Sequence, residues 1–455
     1  MPSLTERAAR FVVETKADRV PGSALKIAKD AFLDCSGVMM AALKEPVADI
    51  VYSYVKERPG LPLATVFGGG VKTFAEDAAL ANGILAHALD YDDVHVACGG
   101  HVSAVLVPAI LALGEELGTS GADALVAYVI GFELIHRLGR QMAGPAMKLG
   151  FHATALWAPV GTAAAAARLL RLDIDQTRMA LGIAASSAGG LSANSGSMTK
   201  GFHAGNGGRG GIVAAKLARK GFTAAPDILE HDRGYIRVFS QAPVAEDAMD
   251  TLGEVYTLSD GLEFKRFPSC GKSQSGIESA LHLVNAHDIR AEDVEEIICD
   301  ASDLVPRMAL FHHNPATGLH AKFSMEYGVA AAILDRAAGL AQFTDEAVTR
   351  PAAQELMGRF SYRHPEHLRG QAGFLKSERI TLRLRDGREV SHQGDNPEGA
   401  IGSAVTTEDL VAKCRDCLSL VLPPAARERA LDLLSNLEKL GNITELTAVL
   451  GGIDN

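Results

Sequence analysis

Aromatic side chains make up only 5% of the 455 residues. Ala, Leu, Val and Ile must therefore fill the interior, which favours close-packed helices over a β-sandwich. Cysteine is scarce too: Cys35, Cys98, Cys270, Cys299, Cys414 and Cys417 are too few and scattered for a disulfide scaffold. They read as reduced thiols of a cytosolic protein. No block rich in Lys or Arg occurs, and the formal net charge is −11, so the basic footprint of a nucleic-acid-binding protein is missing. The longest nearly apolar run, residues 102–114, is about 13 residues long and contains Pro108, short of the roughly 20 a membrane span needs. The start, Met1-Pro-Ser-Leu-Thr-Glu-Arg, carries charge at once and no apolar stretch, unlike a signal peptide. These absences point to a soluble, cytoplasmic protein with no nucleic-acid or membrane partner.

What is present is an ordinary globular mixture, 47% hydrophobic and 22% charged, long enough for two or three domains. Helical spacing dominates up to about residue 225, over 24–43, 73–90, 102–117, 122–143, 160–170 and 175–187. Ser23 is placed to cap the first of these. Beyond 265, strands enter. Residues 294–299 read as one, and 379–385 alternates strictly before Asp386-Gly387 and a second run over 388–392, a hairpin signal. Helices are expected at 322–336 and 346–360, and again from 406 to near the end. The expected class is mainly α: an all-helical domain (1–264 and 406–455) with a smaller α+β domain (265–405) inserted before the last helices.

Three polar segments carry candidate chemistry. The densest, His87-Ala-Leu-Asp90-Tyr91-Asp92-Asp93-Val94-His95 with His101 beyond it, suits general acid–base work or divalent-ion ligation, or is simply a capped helix end with a solvated acidic turn. No spaced ligand set such as H-E-x-x-H accompanies it. Residues 182–211 are about one-third glycine and lack both the Walker and Rossmann spacings. They read either as a tight turn aiming Lys200, His203 and Arg209 at an anion pocket, or as small residues allowing close helix packing. The third, Phe264-Lys265-Arg266-Phe267-Pro268-Ser269-Cys270-Gly271-Lys272, places three cations at the proposed domain boundary, where loops often line sites; a solvated basic turn is the plain alternative. Cys414-x-x-Cys417 has neither a second pair for zinc nor a preceding strand for redox work and is expected to be inert. His152 and Tyr327 are polar groups in apolar helical context.

In this order, Ala-His-Ala-Leu-Asp-Tyr-Asp-Asp, Gly-Phe-His-Ala-Thr, Met-Thr-Lys-Gly-Phe-His-Ala-Gly-Asn, Lys-Arg-Phe-Pro and Ala-Lys-Phe-Ser-Met-Glu-Tyr resemble the MmgE/PrpD family over nearly the whole chain. That family includes 2-methylcitrate dehydratase, cis-aconitate decarboxylase and iminodisuccinate epimerase. The resemblance implies a helical domain closed by the last helices, an inserted α+β domain, a homodimer, and a site between the domains that uses no cofactor or metal. Its polar site positions fall on Asp90, His101, His152, Lys200, Lys265 and Tyr327. Three places differ from the family pattern: Cys98-Gly-Gly-His-Val-Ser-Ala104 replaces a Trp-Gly-His-Pro-Ser-Asp-Asn type of run, Cys270 and Gln274 stand where the decarboxylase pattern has histidines, and Gly201 replaces a usual proline.

The expected activity is a lyase that abstracts a proton beside a carboxylate of a small di- or tricarboxylate, with dehydratase-like elimination. Epimerisation, racemisation or decarboxylation of a related polycarboxylate is the alternative within enzymes; carboxylate binding without catalysis is the alternative outside them. A polyanion drawn to an acidic protein needs a local positive pocket, with Lys200, Lys265, Arg266, Lys272 and Arg209 as suppliers and His203 beside them. In this scheme Lys200 and Lys265 clamp carboxylates, and His152 or His101 moves the proton. Asp90 orients a histidine or acts as base, and Tyr327 donates to the leaving hydroxyl or to the opposite face of the carbanion.

Overall fold

The computed structural model describes residues 2–58, 60–308, 310–370, 378–393 and 404–452. Its first half is helical: α1 (Leu4–Glu14), α2 (Gly22–Ala41), α3 (Pro46–Lys56), α4 (Ala75–Ala88), α5 (Ser103–Leu117), α6 (Gly121–Lys148), α7 (Ala153–Leu169), α8 (Ile174–Ala185), α9 (Met198–Arg219) and α10 (Tyr235–Ser240). A short hairpin, β1 (Ala64–Val66) with β2 (Val71–Thr73), interrupts them, inside a stretch whose pattern reads as helix after helix. Pro21, not Ser23, occupies the N-cap of α2, and the Ser23 hydroxyl instead meets that of Ser259 at 3.0 Å. The helix expected from 160 starts earlier, directly after His152.

The second half holds a four-stranded sheet in the order β4-β3-β5-β6. β3 (Val294–Asp300) runs parallel to β4 (Phe360–Arg363) and antiparallel to β5 (Arg379–Leu384), which continues into β6 (Glu389–Gln393). The hairpin at Asp386-Gly387 is as expected, with Gly387 at φ 89, a conformation glycine adopts without a Cβ clash. Packed with this sheet are α11 (Gln274–Ala286), α12 (Val305–Met308), α13 (Gly318–Ala321), α14 (Met325–Asp335), α15 (Asp345–Val348) and α16 (Pro351–Met357). The single helix expected over 346–360 is split, because Pro351 starts a new helix at its first turn, where its missing N–H goes unmissed. Phe360 then already belongs to β4.

Two hydrophobic cores result. One joins the N-terminal helices to α17 (Thr407–Ser419), α18 (Pro424–Ser435) and α19 (Thr444–Gly451); the other lies between the sheet, α11, α14 and α16. The return of the last helices rests on close contacts. A Cβ on Gly37 would sit 2.9 Å from the Cys414 Cα, and the Gly121 N–H donates to the Leu440 carbonyl at 2.9 Å. Cys414 and Cys417 are both free and buried in this packing. Among the described residues no helix is long and apolar enough to cross a membrane.

The glycine-rich stretch is not a tight turn. From Met198 onward it is α9, so Lys200, His203 and Arg209 all stand on one helix. Its glycines let the backbone of α9 touch that of α4: a Cβ on Gly205 would run into the Leu80 carbonyl, and one on Gly201 would lie 2.9 Å from the Ile84 carbonyl. Close packing thus explains the glycines, and it also brings Lys200 beside the C-terminal end of α4.

Candidate active site

A cleft of about 390 Å³ lies where the two cores meet. The helical side contributes Glu45, Ile84, His87, Asp90, Met198 and Lys200; the other side contributes Thr317, Leu319, Phe323, Phe343 and Asp345. At its base α4 ends and the chain turns through Asp90, which holds φ 50, a left-handed conformation that costs a non-glycine residue energy and that Asp tolerates better than most.

That turn aims the Asp90 carboxylate at two ammonium groups. Lys200 Nζ lies 2.9 Å from Asp90 Oδ1, and Lys265 Nζ lies 2.6 Å from the same oxygen and 2.7 Å from the Asp90 carbonyl. Burial pushes the Asp90 carboxyl up, but Lys200 and Lys265 together outweigh it and hold the group well below the usual carboxylate range. Burial likewise pushes the Lys265 ammonium down, and Asp90 and Asp92 more than restore it. Asp90 is therefore a carboxylate and Lys265 an ammonium. The second Asp90 oxygen, Oδ2, is buried without a partner among the described groups.

Beside this triad stands a cluster of imidazoles. His101 Nδ1 lies 2.9 Å from the Asp93 carbonyl, which can only accept, so Nδ1 carries the hydrogen. Its Nε2 faces the Lys200 ammonium at 3.5 Å. His87 Nδ1 sits 2.9 and 3.0 Å from the two oxygens of Asp92, and the His87 and His101 ring centroids are 4.3 Å apart. His152 pairs Nδ1 to Nδ1 with His203 at 3.0 Å and lies 6.0 Å from the His87 ring. Burial, reinforced by Lys200, lowers His101 to about 3; burial lowers His87 despite Asp92. Burial and then Lys200 lower His152, while burial and then His87 take His203 to about 4. The imidazoles are neutral at physiological pH.

Of the residues singled out from sequence, Asp90, His101, Lys200 and Lys265 converge on one point, with His152 and His203 on its flank. Lys265 is wholly buried behind Asp90 rather than open to the cleft, so it braces the carboxylate instead of presenting a clamp. Four others lie elsewhere. The Tyr327 hydroxyl donates to the Gln342 carbonyl within the second core. Arg209, nine residues along α9 from Lys200, faces Asp77 at 3.6 Å. Arg266 is exposed and donates to the Ala404 carbonyl. Lys272 is half-buried and does not border the cleft. The turn-bound anion pocket expected from these cations is replaced by a compact lysine–carboxylate–imidazole cluster.

Two residues gain importance only here. His87 stood in the polar run without a role of its own, and it borders the cleft. Lys322 stood in the Ala-Lys-Phe-Ser-Met-Glu-Tyr motif, overshadowed by Tyr327. It is buried, 3.5 Å from Glu45 and 3.4 Å from the Ala88 carbonyl, and ties the second core to the first. Spacing could not separate either from its neighbours.

Donor atoms of His87, Asp90, Asp92 and His101 lie within 4.8 Å of one another, as do those of His87, His101 and His152, so the residue types of a metal site are gathered here. Two ammonium groups already face Asp90, and Lys200 faces His101; their charge opposes a divalent cation at either grouping.

Two family models match the chain in succession. The MmgE/PrpD N-terminal domain matches residues 6–247, and the MmgE/PrpD C-terminal domain matches residues 267–439. Cis-aconitate decarboxylase from Homo sapiens is 28% identical over 472 residues, covering 99% of this chain and 95% of the relative. The protein of the same name from Mus musculus is also 28% identical, with 99% and 94% covered. That from Aspergillus terreus is 26% identical, with 95% and 93% covered.

Proposed function

The chain belongs to the MmgE/PrpD family, and from that premise we propose that it is a lyase forming a carbanion beside a carboxylate of a small di- or tricarboxylate. The observation that carries this reading is the sharing of Asp90 Oδ1 by Lys200 and Lys265 at the foot of a cleft between two cores. Two ammonium groups facing one carboxylate leave local positive charge in an otherwise acidic protein. A substrate carboxylate entering the cleft meets Lys200 first, and the buried field strengthens that attraction.

A proton beside a carboxylate is held by a very weak carbon acid. Fixed positive charge next to the developing enolate-like oxygens lowers the barrier without reorganisation. A neutral imidazole of the cluster takes the proton. Burial and Lys200 depress the basicity of these imidazoles, and a polyanionic substrate opposes that effect at the moment the base is needed.

Elimination is the main outcome we propose, with water as the leaving group. Gln274 supports it. Its amide oxygen accepts from the Arg266 and Phe267 N–H groups and its nitrogen donates to the Phe267 and Ser269 carbonyls. At a place where the decarboxylase pattern has a histidine, this side chain is consumed in holding a loop. Decarboxylation is the second reading, favoured by the activity for which the human and Aspergillus relatives are named.

The test is incubation with citrate, 2-methylcitrate, cis-aconitate and related diacids in deuterated water, followed by mass and ultraviolet spectra. Alkene formation establishes elimination, loss of carbon dioxide establishes decarboxylation, and exchange without either establishes epimerisation. A protein that binds these acids but exchanges nothing is a carboxylate-binding relative, and the proposal falls.

A further inference from the structure

The cluster holds four imidazoles, and their nitrogens are not equivalent. His101 Nε2 accepts from the Lys200 ammonium at 3.5 Å. His152 and His203 share one hydrogen between their Nδ1 atoms at 3.0 Å, and neither ring borders the cleft. His87 differs. Its Nδ1 faces Asp92, a wholly buried carboxylate that only accepts, so Nδ1 carries the hydrogen and Nε2 keeps its lone pair. That Nε2 is buried and has no partner among the described groups, although His87 is only 2% exposed. An orphaned buried acceptor is costly to keep, and His87 alone of the four rings borders the cleft.

We propose that His87 Nε2, oriented by Asp92, is the base that takes the substrate proton. The inference rests on the carbanion reading above and assigns its proton acceptor. The carbon–hydrogen bond breaks, the proton passes to Nε2, and the electron pair stays on carbon and spreads into the adjacent carboxylate. In elimination the carbanion's pair then forms the carbon–carbon double bond as the neighbouring carbon–oxygen bond breaks, the hydroxyl departs with that bond's pair, and Nε2 returns the proton to it as water. The imidazole ends neutral. Asp92 is a positioning residue: it fixes the tautomer and stabilises the imidazolium, as a buried carboxylate does behind other catalytic histidines. Lys200 holds the substrate and occupies His101, which leaves His87 free.

The experiment compares the wild type with His87→Gln, His87→Gly and Asp92→Asn, using deuterium uptake and alkene formation from citrate and 2-methylcitrate, and the melting shift caused by citrate. Expected is a 10²–10⁴-fold loss of both reactions in His87→Gln with the citrate shift kept, and partial recovery of His87→Gly by added imidazole. Asp92→Asn should lose activity similarly, because an amide can donate to Nδ1 and so move the hydrogen to Nε2. His87→Gln within about fivefold of wild type overturns the assignment while the carbanion reading stands. Loss of the citrate shift without imidazole rescue overturns it too, by showing a packing role. A wild type inert toward both acids defeats the reading and the assignment together.

Discussion

Asp34 on α2 and Lys413 on α17 meet at 2.7 Å in the interior of the helical core. The same ammonium donates to the Tyr91 carbonyl at 2.8 Å and the Lys265 carbonyl at 3.0 Å, and it lies 3.7 Å from the centre of the Tyr91 ring. One C-terminal side chain thus ties the backbone after Asp90 to the backbone carrying Lys265. Removing one partner of a buried pair typically costs about 3–5 kcal/mol, so Lys413→Met should lose that much in denaturant unfolding. Turnover should fall as well, with kcat affected more than KM. A loss under about 1 kcal/mol would show that the pair is not structural.

Asp90→Asn separates charge from shape. Asn tolerates the left-handed conformation at this turn, so the turn should persist, although the buried Lys265 ammonium loses its carboxylate partner and stability falls. With the carboxylate gone, Lys200 and Lys265 attract a polyanion more strongly. Citrate should bind more tightly by calorimetry while turnover drops, because Lys200 and Lys265 lose the carboxylate that positions them. Weaker binding together with full activity would contradict the place given to Asp90.

The crossing of α4 and α9 depends on absent side chains. Gly205→Ala drives a methyl into the Leu80 carbonyl and should destabilise by about 1–3 kcal/mol, the usual cost of overpacking. Activity should fall with it, because Lys200 rides on the same helix. Gly144 in α6 faces open space, with nothing within 4 Å of the place a Cβ would take, and Gly144→Ala should stabilise by about 0.4–1 kcal/mol. Thermal melts of the two variants should shift in opposite directions.

Burial lowers His95 to about 4 and His136 to about 3, and both His136 nitrogens lack partners among the described groups. The unfolded chain binds these protons near pH 6.5, before the folded one does. Stability should therefore be highest above that pH and fall as the pH drops from about 6.5 towards 4, by up to about 1.4 kcal/mol per unit for each histidine. Melting temperatures between pH 8 and 5 check the slope. His136→Leu, which removes one such group, should flatten it.

Much of the local structure was legible from residue order. Strict alternation over 379–385 with Asp386-Gly387 specifies a hairpin because side-chain period and turn chemistry are both local. Pro351 could have been read as a helix start by the same kind of rule. The short β1–β2 hairpin escaped, since three-residue strands carry too little pattern to stand out among helices.

The glycines of 198–211 show where residue order stops. Glycine lowers helix propensity, so the stretch reads as a turn until α4 packs against it and makes the absent side chains an asset. Composition, periodicity and five ordered motifs determined the class of fold and the family of this chain, because those signals need only neighbours along the backbone. Tertiary structure alone decided that Asp90 meets Lys200 and Lys265, 110 and 175 residues away, that Tyr327 spends its hydroxyl in the second core, and that His87 faces the cleft. Charges of opposite sign attract from any distance in sequence; which of them share a buried site is set by the helices that carry them.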